Sequence, residues 1–115
     1  MEAHHDRKLD APSGTALTLF EAVRTIRPEA KAVTGRSGNG KRTPEEVGIH
    51  AIRMGNIVGM HEVMIGTQNE TITLKHQAWS RGLFADGSLK AASFLIGKAP
   101  GLYQMKDLLE EGVGQ

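Results

Sequence analysis

Val47-Gly-Ile-His50-Ala-Ile-Arg53-Met-Gly55-Asn56-Ile-Val58-Gly-Met-His61-Glu-Val-Met-Ile-Gly66-Thr-Gln-Asn69-Glu70-Thr-Ile-Thr-Leu-Lys-His76 is the part of the chain with the texture of a sheet. Three strand-like runs, Val47 to Met54, Val58 to Gly66 and Glu70 to His76, are split by Gly55-Asn56 and by Thr67-Gln68-Asn69. The economical reading is an antiparallel meander. Ile72 and Leu74 alternate with Thr71, Thr73 and Lys75, which predicts one buried and one wetter face, as in a sheet covered by helix on one side.

The cover is expected upstream. After Pro12, residues Ala16, Leu17, Phe20, Val23 and Ile26 recur at helical spacing, with Ser13 as N-cap and Pro28 closing the segment. A helix is therefore predicted from Gly14 to Arg27, followed by a short strand at Lys31 to Thr34. The stretch Gly35 to Pro44 is polar and glycine-rich and reads as a mobile basic loop. Between Arg81 and Lys98 two signals compete: Asp86-Gly87 is a hairpin dipeptide, whereas Phe84, Ala91, Ala92, Leu95 and Ile96 suit a helix. The helix is the expectation. Gly97 stops it, Pro100 prevents continuation, and Leu102, Met105, Leu108 and Leu109 make a short amphipathic tail. The fold class expected is α+β: a mixed, mostly antiparallel, four-stranded open sheet covered by helices on one face, plus a C-terminal helical segment.

Bulk properties narrow the function classes. At 115 residues with 39% hydrophobic and 23% charged content, the chain suits one globular domain. Its formal net charge is +1, from 14 basic and 13 acidic residues, so no global field recruits nucleic acid or an anionic membrane. Cysteine is absent, which excludes disulfides, thiol nucleophiles and cysteine-based zinc sites and suits a reducing compartment, the cytoplasm. No run resembles a signal peptide or approaches the roughly 20 apolar residues of a membrane span.

Chemistry concentrates near the N-terminus, in Glu2-Ala-His4-His5-Asp-Arg-Lys8-Leu-Asp10-Ala-Pro12-Ser13-Gly14-Thr15. Either imidazole of His4-His5 titrates near neutrality and suits general acid catalysis, and Lys8 adds a compact cation. At the predicted helix start the N–H groups of Gly14, Thr15 and Ala16 point outward with the positive end of the helix dipole, a geometry that binds a carboxylate or phosphate. Taken alone, such a start more often marks an ordinary capped helix facing water. His4, His5, Asp6 and Asp10 are poor joint metal ligands, because adjacent residues on an extended segment point to opposite faces; no metal site is expected. Gly35-x-x-x-x-Gly40-Lys41 matches most of a P-loop, but Arg42 follows in place of Ser or Thr and Pro44 forbids an immediate helix, so nucleoside triphosphate binding is rejected. His50, His61 and His76 read as partly buried structural histidines bonded to backbone or to a neighbour. Arg81 is left out of the site.

Glu2-Ala-His4-His5-x-x-Lys8-x-Asp10-Ala-Pro12-Ser13-Gly14-Thr15-Ala16 closely resembles the signature of the 4-hydroxy-tetrahydrodipicolinate reductases, also called dihydrodipicolinate reductases. The resemblance continues through Arg36-x-Gly38, Val47-Gly48-Ile49-His50, Arg53-x-Gly55-x-Ile57-Val58-Gly59-x-His61, Ala85-Asp86-Gly87, Gly97-Lys98 and Gly101-Leu102-Tyr103-x-Met105. It implies an enzyme that reduces a cyclic imine dicarboxylate to tetrahydrodipicolinate with NADH or NADPH, on the route to diaminopimelate and lysine. It further implies that His4 is the proton donor, Lys8 the second acid/base or cationic group, His5 a substrate contact, and Gly14 and Thr15 contacts to a substrate carboxylate.

One departure stands out: the family begins with a dinucleotide-binding Rossmann domain, and this chain has no Gly-x-Gly-x-x-Gly after a first strand. The expectation is a fragment that is inactive alone, its NADPH or NADH bound mainly by an absent N-terminal domain. Residues 1–80 would then be the substrate-binding and oligomerisation domain, and residues 81–115 the segment that returns to the cofactor domain. Without that domain the segment from Arg81 onward should lack its usual packing partner, so some of Phe84, Leu95, Leu102 and Leu108 are expected to cover a neighbouring chain or to lie unusually exposed. The family's assembly through open sheets implies a homotetramer. The competing expectation is a structural tetramerisation module with no ligand of its own. A small anion-binding regulator using the Arg36 to Arg42 loop has only charge in its favour.

Overall fold

The computed structural model describes residues 1–112. In chain order the elements are β1 (Glu2–His4), α1 (Gly14–Ile26), β2 (Lys31–Val33), β3 (Glu46–Gly48), β4 (Ala51–Arg53), β5 (Gly59–Gly66), β6 (Thr71–Ala78), α2 (Gly82–Leu95) and α3 (Met105–Gly112). They fall into two units, Met1–Trp79 and a second beginning at Ser80.

The first unit holds a four-stranded mixed sheet in the order β4-β1-β5-β6 and a two-stranded parallel sheet of β2 and β3. The long hairpin β5-β6 is antiparallel, with Val63 opposite Leu74 and Ile65 opposite Ile72. The meander fails at its first member. Val47 to Met54 is two strands in two sheets, and β1, read from sequence only as an extended stretch, inserts between β4 and β5. The switch occurs within two residues: Ile49 N–H donates to the Val33 carbonyl at 2.8 Å, and the next carbonyl, of His50, accepts from Glu2 N–H at 2.8 Å. A period-two pattern records alternation but not which neighbour each backbone group bonds, so one continuous strand and two consecutive ones look alike.

Helix α1 starts as its sequence predicts. Ser13 Oγ accepts from Ala16 N–H at 3.2 Å, and the ladder begins with Leu17 N–H on the Ser13 carbonyl. Ala16, Leu19, Phe20 and Val23 line one small cavity with Val47 of β3 and His61 and Val63 of β5, so the helix faces both strands. No residue of β6 lines that cavity. The anticipated dry face is therefore dry only in part: Ile72 and Leu74, on the helix side of the sheet, remain 48% and 62% exposed. Leu17 and Ile26, expected on the apolar stripe, are also exposed. The basic loop lies against β3, where Arg36 pairs with the Glu46 carboxylate and Arg42 donates to the Glu46 carbonyl.

In the second unit Asp86-Gly87 lies inside α2, as the periodicity rather than the hairpin dipeptide predicts. Gly97, at φ +78°, ends the helical stretch in the left-handed region that glycine tolerates. Phe94 meets Tyr103 edge to face at 5.9 Å, and the Lys98 ammonium sits 4.4 Å from the Phe94 ring centre. Phe84, Leu95 and Leu102 are exposed, whereas Leu108 is half-buried. Among the described residues no helix is long and apolar enough to cross a membrane.

The buried hydrophobic residues among the described residues of the first unit are three alanines, Ala3, Ala30 and Ala78, and Ile49. The largest fully buried side chain among the described residues is a carboxylate, that of Glu2.

Candidate active site

Alternation along β1 places Glu2 and His4 on one face of the sheet and Ala3 on the other. Glu2 lies opposite Ala51 and His61, and His4 lies opposite Arg53, so the register gathers Glu2, His4, Arg53 and His61 on the helix-covered face. Glu2 Oε1 accepts from Arg53 Nη2 at 2.8 Å and from Ser13 N–H at 3.1 Å. Its Oε2 accepts from Arg53 Nη1 at 2.8 Å and stands 2.6 Å from His4 Nδ1. Burial pushes this carboxyl up, but the hydrogen bonds from Arg53, His4 and the Ser13 amide outweigh it and bring it from 4.5 down to about 2. Glu2 is an anion at neutral pH. An ionised carboxylate only accepts, so His4 Nδ1 carries the proton and Nε2 is the ring's second functional atom.

The His4 ring is packed rather than loose. It meets His61 edge to face at 5.1 Å, and a side chain at Gly59 would approach His4 Nε2 to 3.3 Å. His61 Nε2 lies 3.0 Å from Ser13 Oγ, and burial, aided by the neighbouring His4, pushes its imidazole down towards the neutral form. His61 thus fits its reading as a structural histidine bonded to a neighbour. His50 and His76 do not fit theirs, because both are exposed and His50 lies between β3 and β4 rather than within a strand.

Residues 5–12 form a loop strapped to the β4–β5 turn. Asp6 N–H donates to the Gly55 carbonyl at 3.1 Å and Arg7 Nη2 donates to Asn56 Oδ1 at 2.9 Å. Lys8 Nζ donates to Asp10 Oδ1 at 2.7 Å, which lowers the Asp10 carboxyl, while the Asp10 carbonyl accepts from Arg53 Nη2 at 2.5 Å. A continuous polar chain therefore runs from Lys8 through Asp10, Arg53 and Glu2 to His4. His5 is half-buried, and its carbonyl accepts the Lys8 N–H at 3.2 Å.

Gly14 and Thr15 are exposed in the first turn of α1. The sequence placed three outward N–H groups there, and the structure leaves two, because Ala16 N–H is taken by Ser13 Oγ. A Cβ built on Gly14 meets nothing within 4 Å, so a ligand has open access to this backbone. Among the described residues no group of three or more His, Asp or Glu side chains is placed to hold a metal ion. Nor do these residues fit a dinucleotide: the connection from β1 to α1 has no glycine before Gly14, and the glycine-rich loop at residues 35–40 leads to strand β3 rather than to a helix.

Sequence reasoning passed over Glu2 and Arg53. The available signal was the spacing of Glu2 and His4, two apart on an extended run and hence on one face. Nothing in the sequence points from Glu2 to Arg53.

Residues 1–109 match the family profile described as "Dihydrodipicolinate reductase, C-terminus". The 4-hydroxy-tetrahydrodipicolinate reductase of Caldanaerobacter subterraneus subsp. tengcongensis is 51% identical over 97% of this chain and 45% of its own length. That of Brachyspira hyodysenteriae is 46% identical over 95% of this chain and 48% of its own. The chain thus spans about half the length of the curated relatives it matches. Among solved structures it is similar to the dipicolinate-bound dihydrodipicolinate reductase from Paenisporosarcina sp. TG-14, with a TM-score of 0.60 and 29% identity over 76% of this chain and 35% of that one. The chain belongs to the dihydrodipicolinate reductase family and corresponds to the C-terminal part of that enzyme.

Proposed function

We propose that this chain is the substrate-binding and catalytic part of an NAD(P)H-dependent reductase that converts 4-hydroxy-tetrahydrodipicolinate to tetrahydrodipicolinate in diaminopimelate and lysine synthesis, in the cytoplasm. The observation that carries the reading is the match of residues 1–109 to the C-terminal part of the dihydrodipicolinate reductases, together with the exposed first turn of α1 that carries Gly14 and Thr15. Support for a dicarboxylate ligand comes from the dipicolinate held by the similar Paenisporosarcina enzyme.

Reduced nicotinamide supplies the hydride in such reductases, and the described residues contain no cradle for it. What this chain contributes is binding and proton management. The amides of Gly14 and Thr15 and the Thr15 hydroxyl take one ligand carboxylate at the positive end of α1, with His5 as a further contact. Loss of the 4-hydroxyl as water gives a conjugated imine, and hydride addition to that imine builds negative charge on the ring. His4 quenches that charge with a proton, and the Lys8 ammonium stabilises it electrostatically.

The test is titration calorimetry of the chain with pyridine-2,6-dicarboxylate. Binding that weakens in His5→Ala and Thr15→Ala supports the reading, and unchanged affinity in both variants removes it. The exposed Met64, Ile65, Ile72 and Leu74 of the β5-β6 hairpin favour assembly of this unit into a homotetramer through its sheet. Tetramers with no dicarboxylate affinity would favour a purely structural module.

A further inference from the structure

We propose that Glu2 is a positioning residue: its buried carboxylate, clamped by Arg53, holds the His4 ring in the Nδ1–H tautomer, so that proton exchange is confined to Nε2. The proposal rests on the reading of His4 as proton donor and adds to it the group that fixes the donor's state.

A charge without solvent exposure is costly unless every lone pair is met, so its presence where a small apolar residue would fill a strand calls for a reason. At Glu2 the lone pairs are met in a specific way. Arg53 places one Nη on each oxygen, which stops the carboxylate turning, and the Ser13 amide takes a further site. The remaining partner is His4 Nδ1, at 2.6 Å, and this is the contact through which the cluster reaches an imidazole that can carry its proton on either ring nitrogen.

Tautomer and orientation are set together. Glu2 and His4 share a face by strand alternation, the carboxylate cannot rotate, and the ring is closed in by the His61 edge and the bare backbone of Gly59. The same anion also holds the amide of Ser13, the cap of α1, so one group ties the proton donor to the helix that carries Gly14 and Thr15. Arg53 acts through Glu2, and Glu2 acts through His4.

The test is two-bond proton–nitrogen NMR on the histidine-labelled 115-residue chain, above the imidazole titration range, with His4 assigned through His4→Gln. The expected result is a proton on His4 Nδ1 and none on Nε2. In the double variant Glu2→Leu/Arg53→Met, which removes anion and cation together, the proton should move to Nε2 in most molecules while His50 and His76 keep their signals. A wild-type proton on Nε2, or an unchanged His4 pattern in a folded double variant, overturns the proposal. Should the double variant not fold, the wild-type tautomer alone decides. Absence of pyridine-2,6-dicarboxylate binding alongside the expected tautomers removes the reductase reading and leaves the Glu2–His4 assignment supported.

Discussion

Arg53 and Glu2, 51 positions apart in the chain, meet as a two-pronged ion pair, with Nη1 and Nη2 each 2.8 Å from a different carboxylate oxygen. The pair bridges neighbouring strands of the sheet, since β4 runs parallel to β1 and Arg53 lies opposite His4. Its acid is fully buried and its base nearly so, at 0% and 17% exposure, which makes it structurally costly to break.

Removing one partner should therefore be far worse than removing both. Arg53→Met leaves an uncompensated buried anion and is expected to cost about 3–5 kcal/mol in urea unfolding. Glu2→Leu/Arg53→Met should recover most of that loss, because well-packed apolar replacements of a buried pair are often neutral. Equal losses in the single and double variants would show that the pair does not act as a unit.

Acid should destabilise the protein over two separate pH ranges. Burial lowers the His61 imidazole from its ordinary 6.5, so the unfolded chain binds this proton first, and stability starts to fall as the pH drops through that value. Glu2 is depressed from 4.5 to about 2, so its contribution, about 3 kcal/mol, is complete above 4.5 and is lost as the pH falls through 2. Unfolding free energies measured from pH 7 down to 2 should show both slopes, and Glu2→Gln should flatten the lower one.

Ser13→Ala removes the acceptor of the Ala16 amide and the partner of His61 Nε2 in one step. A loss of about 1–2 kcal/mol is expected, the usual cost of an N-cap with one further hydrogen bond. Ser13→Asp, which restores a cap acceptor, should recover part of the melting temperature but not the His61 contact.

Fold and ligand binding should separate at Gly14. Because a Cβ there meets nothing, Gly14→Ala should leave the melting temperature unchanged or slightly raised. Affinity for pyridine-2,6-dicarboxylate should nevertheless fall, as the methyl group crowds the exposed amides. Thr15→Ala should weaken the same titration by about 1 kcal/mol, one hydroxyl hydrogen bond.

The exposed hairpin gives an independent prediction for assembly. Leu74→Lys places a charge in an apolar patch that α1 leaves uncovered, so it should lower the mass seen by light scattering while the circular dichroism spectrum is kept. A monomeric wild-type mass would remove the tetramer reading.

Much of this protein is determined by its sequence alone. Local signals suffice for the span of α1, because its cap, its periodicity and its closing proline are all near neighbours. They also suffice for the hairpin β5-β6 and for helix α2 against the competing Asp86-Gly87, since fourteen residues of helical pairing outweigh one dipeptide. The run from Glu2 to Thr15 offered candidates for a proton donor, a cation and an anion-binding helix end. What only the tertiary structure decided is the register between distant strands: that β1 lies between β4 and β5, that Val47 to Met54 divides between two sheets, and that α1 stops short of β6. Register is long-range because each strand's free backbone groups accept any partner of suitable pattern, and burial chooses among them. The site depends on that choice. His4 was legible as a candidate proton donor, whereas the Glu2 anion bonded to it acquires its place only when Arg53 arrives beside it from across the sheet.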